Sequence, residues 1–248
     1  MNLLVDIGNS RIKWAMHDVS GLSACHAMFY DFSNLMNVLD RGWKNISAPD
    51  RVFISNVAGN KVADKFILWV NKHWQVQPVF AGVTNTAYGV KNAYADITQL
   101  GVDRWLAVIA AWHNYHSAAC IVDCGTAITI DGLSDGGQHL GGLIMPGREI
   151  MQQALFQQTH GIPEPGNVEV NEGFTNNTAQ GVVTGCSMAI VALIDRIVHD
   201  MRSKFDEKLV CVITGGDAGN IINLLSVEFI HEPHLVLHGL VLMAEKNS

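Results

Sequence analysis

The chain has 248 residues, 48% hydrophobic and 16% charged, with a formal net charge of −7. That balance excludes a disordered chain, and an acidic protein without any Lys/Arg-rich run is not expected to bind nucleic acid. Five cysteines with no C-x-x-C pair fit a reducing compartment, no basic leader precedes the first strand, and no apolar run approaches bilayer length, so the expected location is cytoplasmic with no membrane partner.

In chain order, Leu3-Leu4-Val5 predicts a short buried strand that turns at Gly8 into a second strand. A third strand is expected near Ala27 to Tyr30 and a helix from about Ser33 to Lys44. Val52 to Val57 reads as a buried strand. Lys61 to Trp74 places Val62, Phe66, Trp69 and Val70 at helical spacing, which predicts an amphipathic helix. Val76 to Phe80 reads as a strand, Tyr94 to Leu100 as irregular chain, and Val102 to Trp112 as an apolar helix. A second lobe opens near Ser117 with hairpin-like segments over Ile121 to Leu133 and Gly137 to Met145. Helices follow over Arg148 to Gln158 and Thr178 to Arg202, separated by a loop over Ile162 to Thr175. Leu209 to Ile213 is a strand leading into Thr214-Gly215-Gly216-Asp217, with Asp217 expected as the N-cap of a helix near Ala218.

Two stretches repeat one pattern. Val5-Asp6-Ile7-Gly8-Asn9-Ser10 and Val122-Asp123-Cys124-Gly125-Thr126 are apolar runs ending in an aspartate, then a glycine and small polar side chains. Such turns bare backbone N–H groups and make seats for phosphate. An acidic protein that holds a polyphosphate needs cations between them. The repeat half a chain apart predicts two similar lobes, 1–116 and 117–248, facing each other across a cleft.

Five motifs, Asp6-Ile7-Gly8-Asn9-Ser10, Gly101-Val102-Asp103-Arg104, Asp123-Cys124-Gly125-Thr126-Ala127, Gly141-Gly142-Leu143-Ile144-Met145-Pro146-Gly147 and Thr214-Gly215-Gly216-Asp217, occur in the order seen in type III pantothenate kinases. The chain resembles that family along essentially its whole length. Ser10 stands where threonine is more usual and Val102 where alanine often sits. The resemblance implies an α/β fold of two ribonuclease H-like, actin-like ATPase lobes, each a mixed sheet flanked by helices. It also implies a homodimer that phosphorylates pantothenate with ATP, the entry step to coenzyme A.

On that resemblance Asp6, Ile7, Gly8, Asn9, Ser10, Arg11, Ile12 and Lys13 line the nucleotide phosphates, with Asp6 holding Mg2+ through water. Lys13 either reaches a phosphate or is a solvated strand residue. Thr126 touches ATP from the second turn, and Asp123 matches the position that binds a monovalent cation, K+ or NH4+. Gly101, Val102, Asp103 and Arg104 form the substrate motif. Asp103 is the candidate general base that takes the hydroxyl proton late in transfer, and Arg104 grips either a carboxylate or a phosphate oxygen. Tyr94 and Thr178 match the remaining pantothenate contacts; Thr178 is otherwise a helix N-cap. Two other readings compete: another small-molecule kinase or polyphosphate phosphatase of the same superfamily, and a non-catalytic accessory factor for transcription.

Overall fold

The computed structural model describes residues 1–164, 168–171, 173–205 and 208–246. Contacts divide the chain into two units, Met1–Asn114 with His234–Ser248, and Tyr115–Pro233.

In the first unit β1 (Asn2–Ile7) turns back antiparallel as β2 (Arg11–Asp18), and β3 (Gly21–Leu22) and β4 (His26–Phe29) both pair with β2. After α1 (Leu35–Trp43), β5 (Arg51–Asn56) lies parallel to β1. It is followed by α2 (Asn60–Trp74) and the short parallel β6 (Val79–Phe80). A two-stranded ribbon, β7 (Thr86–Ala87) with β8 (Val90–Lys91), precedes α3 (Val102–Tyr115). Alternation along the strands sends Leu3, Val5, Ile12, Trp14, Val52 and Ile54 into one core with α1 and α2. The buried face of α2 is the one expected, Val62, Phe66, Trp69 and Val70. Trp43 packs edge-on against Trp14, Phe66 and Trp69, with ring centroids 5.4 to 5.9 Å apart. Each such side chain contributes about 1.5–3 kcal/mol by leaving water.

The second unit repeats the plan. β9 (Ala119–Cys124) and β10 (Ala127–Leu133) form an antiparallel hairpin extended by β11 (His139–Pro146), then come α4 (Arg148–Gln158) and α5 (Thr178–Phe205). β12 (Val210–Thr214) runs parallel to β9, α6 (Ala218–Ile221) follows, and β13 (Ile230–His231) runs parallel to β12. Cys120, Val122, Cys124, Ile128 and Ile130 pack against Ile190, Val191, Ile194 and Val198 of α5. In both units the first strand of a hairpin is central in the sheet, and a parallel strand lies on its other side.

The last helix, α7 (Leu235–Lys246), packs on β1, β2 and β5 and so belongs to the first unit. A simple split into 1–116 and 117–248 therefore misplaces the C-terminal segment. At Gly239 the helix meets α3 so closely that a Cβ would lie 2.5 Å from the Leu106 carbonyl oxygen.

Three sequence expectations need correction. The strand expected from Val76 is only Val79–Phe80, because Pro78 has no N–H for a ladder and holds Gln77 extended. Gly137 to Met145 is no hairpin; β11 is one strand pairing with β10 across a turn in which Ser134 Oγ accepts the Gln138 N–H at 3.1 Å. Among the described residues α5 is long and apolar enough to cross a membrane by length and composition, contrary to the expectation. Its inner face, however, is part of the second core. Of the loop expected over Ile162 to Thr175, positions 165–167 and 172 lie outside the described residues.

Candidate active site

At the end of β1 the strand register sets Asp6 between Lys13 on β2 and Ser55 on β5, so the three share one face of the sheet. Asp6 and Ser55 are buried, and Lys13 is half-buried. The turn over 8–11 closes with the Gly8 N–H donating to Arg11 O at 3.0 Å. Tyr30 anchors it from outside: its hydroxyl donates to Gly8 O at 2.7 Å and its N–H to Ser10 O at 3.1 Å. Asn9 is exposed at the tip. Ile7 and Ile12 are core side chains and can offer a ligand only their backbone, while the Arg11 guanidinium lies 4.1 Å over the Phe29 ring.

The motif Gly101 to Arg104 lies in the same unit, at the start of α3. Gly101 accepts the first helical hydrogen bond of α3, from the Trp105 N–H at 3.0 Å. Asp103 sits in the first turn, where a helix favours negative charge, and its Oδ1 accepts the Arg104 N–H at 2.7 Å. A Cβ on Gly101 would lie 2.5 Å from that Oδ1, so a larger residue there would push the Asp103 carboxylate aside. Arg104 is buried, and its Nη1 donates to the Tyr94 hydroxyl at 3.1 Å. Tyr94 is placed by Asn92, whose Oδ1 accepts the Tyr94 N–H at 2.9 Å and whose Nδ2 donates to Thr84 O at 3.3 Å. Asn92 thus places Tyr94, the Asp96 carboxylate caps a single 3-10 turn over Ile97–Gln99 by accepting the Thr98 N–H at 3.0 Å, and Tyr94, Gly101, Asp103 and Arg104 come together.

The second unit builds its own cluster at the end of β9. Asp123 lies between Thr129 on β10 and Thr214 on β12, in the register that Asp6 holds with Lys13 and Ser55. Here the turn is tighter: the Gly125 N–H donates to Ala127 O at 3.1 Å. Gly147 binds it directly, its N–H donating to Thr126 O at 3.0 Å, and a Cβ there would be 2.5 Å from that oxygen. Gly215 (φ +99°) approaches from β12, where a Cβ would stand 2.5 Å from Asp123 Oδ1. The Asp217 N–H donates to Cys124 O at 2.9 Å. Desolvation pushes the Cys124 thiol up to about 12, with the Asp123 charge adding to it, so this cysteine is no nucleophile.

Two details were not foreseen. Asp217 stands at the N-cap position of α6 as expected, but its side chain makes no capping bond; its carboxylate accepts two hydrogen bonds from Arg148, Nε at 3.0 Å and Nη2 at 2.7 Å, and one from Asn220 Nδ2 at 2.6 Å. Thr178 does not cap α5 either, because Asn177 Oδ1 accepts the Gln180 N–H at 3.1 Å. Thr178 is exposed on the rim of a hollow of about 630 Å³ that includes Met151, Leu155, Gly185 and Cys186. Among the described residues no group of three or more His, Cys, Asp or Glu side chains could hold a metal.

The sequence profile described as type III pantothenate kinase matches residues 2–200. A type III pantothenate kinase of Nitrosococcus oceani is 41% identical over 253 residues, covering 100% of this chain and 95% of that protein. The chain belongs to the type III pantothenate kinase family. It is an enzyme that phosphorylates pantothenate at the expense of ATP, in the biosynthesis of coenzyme A. A Campylobacter jejuni structure described as a Baf family transcriptional activator matches with a TM-score of 0.63 at 24% identity, covering 99% of this chain and 98% of that one. An activator of 2-hydroxyisocaproyl-CoA dehydratase from Clostridium difficile, with bound ADPNP, matches with a TM-score of 0.55 at 14% identity, covering 99% and 94%. At these identities the two structures show the fold alone. Family membership disfavours a different acceptor and a purely accessory role.

Proposed function

We propose that Asp103 is the general base of pantothenate phosphorylation and that the turns over 8–11 and 125–126 serve the phosphates of ATP. One observation carries the reading: the half-buried carboxylate of Asp103 opens a helix beside a buried arginine that is itself held by Tyr94. A carboxylate cannot ionise an alcohol in advance. It orients the hydroxyl and takes its proton as the new O–P bond forms and the bond to the ADP oxygen breaks. Arg104, bonded to Tyr94 at one edge, grips the carboxylate of pantothenate, with Gly101 and Val102 shaping the approach.

Asp6 and Lys13 flank the first turn with opposite charges; Gly8 closes the turn, and Asn9 and Ser10 donate to phosphate oxygens, as Thr126 does from the second. The donor set suits Mg2+ carried on ATP, because that ion keeps most of its waters and takes one or two carboxylates rather than a full protein cage. When bound it neutralises phosphate charge. Asp123, sharing a face with the hydroxyl-bearing Thr129 and Thr214, offers an all-oxygen set to a monovalent cation such as K+ or NH4+. The chain works in the cytoplasm as a homodimer in which Thr178 contributes to pantothenate binding.

Asp103→Asn tests the assignment. Calorimetric binding of pantothenate should persist while turnover falls about 10²-fold or more, the scale for a lost general base. Turnover equal to that of the parent enzyme would remove Asp103 from the role.

A further inference from the structure

We infer that Arg148 is a positioning residue for the nucleotide, locking the Thr214–Asp217 loop to the turn that carries Thr126. This rests on the proposal that the second turn serves ATP. Three attachments meet here. Gly147 bonds the Thr126 carbonyl, the adjacent Arg148 grips Asp217 through two nitrogens, and the Asp217 N–H returns to the Cys124 carbonyl at 2.9 Å. The chain from 146 to 148, the turn from 124 to 126 and the loop from 214 to 217 thereby form one closed ring of hydrogen bonds. Arg148 is the only side-chain cation in that ring, and it bridges segments 69 positions apart in sequence.

The placement is informative because it opposes local preference. Arg148 begins α4, where the helix dipole disfavours a positive charge, so the arginine does nothing for its own helix without Asp217. The pair is about four-fifths covered, with side-chain exposures of 19% and 23%. Its geometry is the bidentate form that fixes orientation as well as distance. Hydrogen bonding to Asp217 raises the Arg148 pKa above its usual value, so the cation persists at every working pH.

The ring brings the glycines at 147 and 215 against the turn from 123 to 126, where a Cβ on either would stand within about 2.6 Å of that turn's atoms. Releasing it loosens nucleotide binding without touching Asp103.

The test is a double-mutant cycle read by Michaelis constants. Arg148→Met and Asp217→Asn should each raise KM for ATP about tenfold, with a smaller change in kcat and none in KM for pantothenate. The double variant should be no worse than either single one, and Arg148→Lys should restore part of the affinity. Additive effects would overturn the inference, since they mean that Arg148 touches the nucleotide itself. Thr126→Ala separates the two levels. If it raises KM for ATP while Arg148→Met does not, the inference alone fails. Should Thr126→Ala leave KM unchanged, the assignment of the second turn to ATP fails first. A lowered melting temperature with an unaltered KM in both Arg148→Met and Asp217→Asn would also refute it, leaving the pair a structural brace.

Discussion

Replacing Gly147 by alanine should disable the second turn by steric pressure alone. Its φ of −67° suits any residue, so no backbone strain enters. The added methyl would instead stand 2.5 Å from Thr126 O and 2.6 Å from Gly125 O, and both are backbone atoms that cannot rotate away. Ordinary contact begins at 3.4 Å, so the turn or the start of α4 must retreat by about 0.9 Å. Overpacking of this kind costs about 1–3 kcal/mol, which for a chain of this size lowers Tm by about 2–12 °C. A displacement near 1 Å at a binding site can cost up to about 10²-fold. Steady-state kinetics with ATP varied should therefore show kcat/KM reduced at least about tenfold, together with the lower Tm in a thermal scan. Gly219 is the control: a Cβ there meets nothing within 4 Å, so Gly219→Ala should be neutral or slightly stabilising. A Gly147→Ala enzyme with parental kcat/KM for ATP and an unshifted Tm would refute the close approach and the role given to the turn.

Exchanging potassium for sodium should lower turnover, and Asp123→Asn should abolish the difference between the two ions; an enzyme indifferent to the ion would remove Asp123 as a cation site. Tyr94→Phe deletes the hydroxyl that accepts from Arg104 and should raise KM for pantothenate several-fold, with KM for ATP unchanged in the same assays. Titration with a chromophoric disulfide at pH 8 should find Cys25 reactive in the native protein, while Cys120, Cys124 and Cys211 respond only in denaturant. Burial pushes Cys124 up to about 12 and Cys211 to about 11 from an ordinary thiol value of 9.0, so these thiols stay protonated in the fold where the unfolded chain ionises. Their contribution is complete below pH 9 and is lost as pH rises toward 11–12. The unfolding free energy from urea titrations should fall across that window, by about 1.4 kcal/mol per pH unit per thiol at most.

The sequence made the local chemistry legible. Leu3 to Val5 and Cys120 to Val122 announce central strands because they are buried on both faces. The spacing of Val62, Phe66, Trp69 and Val70 gives the inner face of α2 directly. The motif Gly101 to Arg104 predicts the cluster at the start of α3, and Tyr94 joins it as expected. What stayed hidden depends on long-range contact. Apolar nearly all round, α7 carries little of the periodicity that marks a surface helix, and nothing local says that it returns to the first unit. Arg148 looks like a surface residue at a helix start until Asp217, far along the chain, is brought beside it. Asp217 in turn reads as a cap because its sequence neighbours fit one, yet a guanidinium outcompetes a single backbone N–H for its carboxylate. The asparagine that sets Tyr94, Asn92, has no signature either, since its bonds are to backbone within a ribbon two residues wide.

The central claim is that the paired turns seat the phosphates of ATP. Hydrogen–deuterium exchange, with and without Mg2+ and a non-hydrolysable ATP analogue, tests it most directly. The account predicts slowed exchange in peptides covering residues 6–13 and 123–127. Protection elsewhere with both segments unchanged would contradict it.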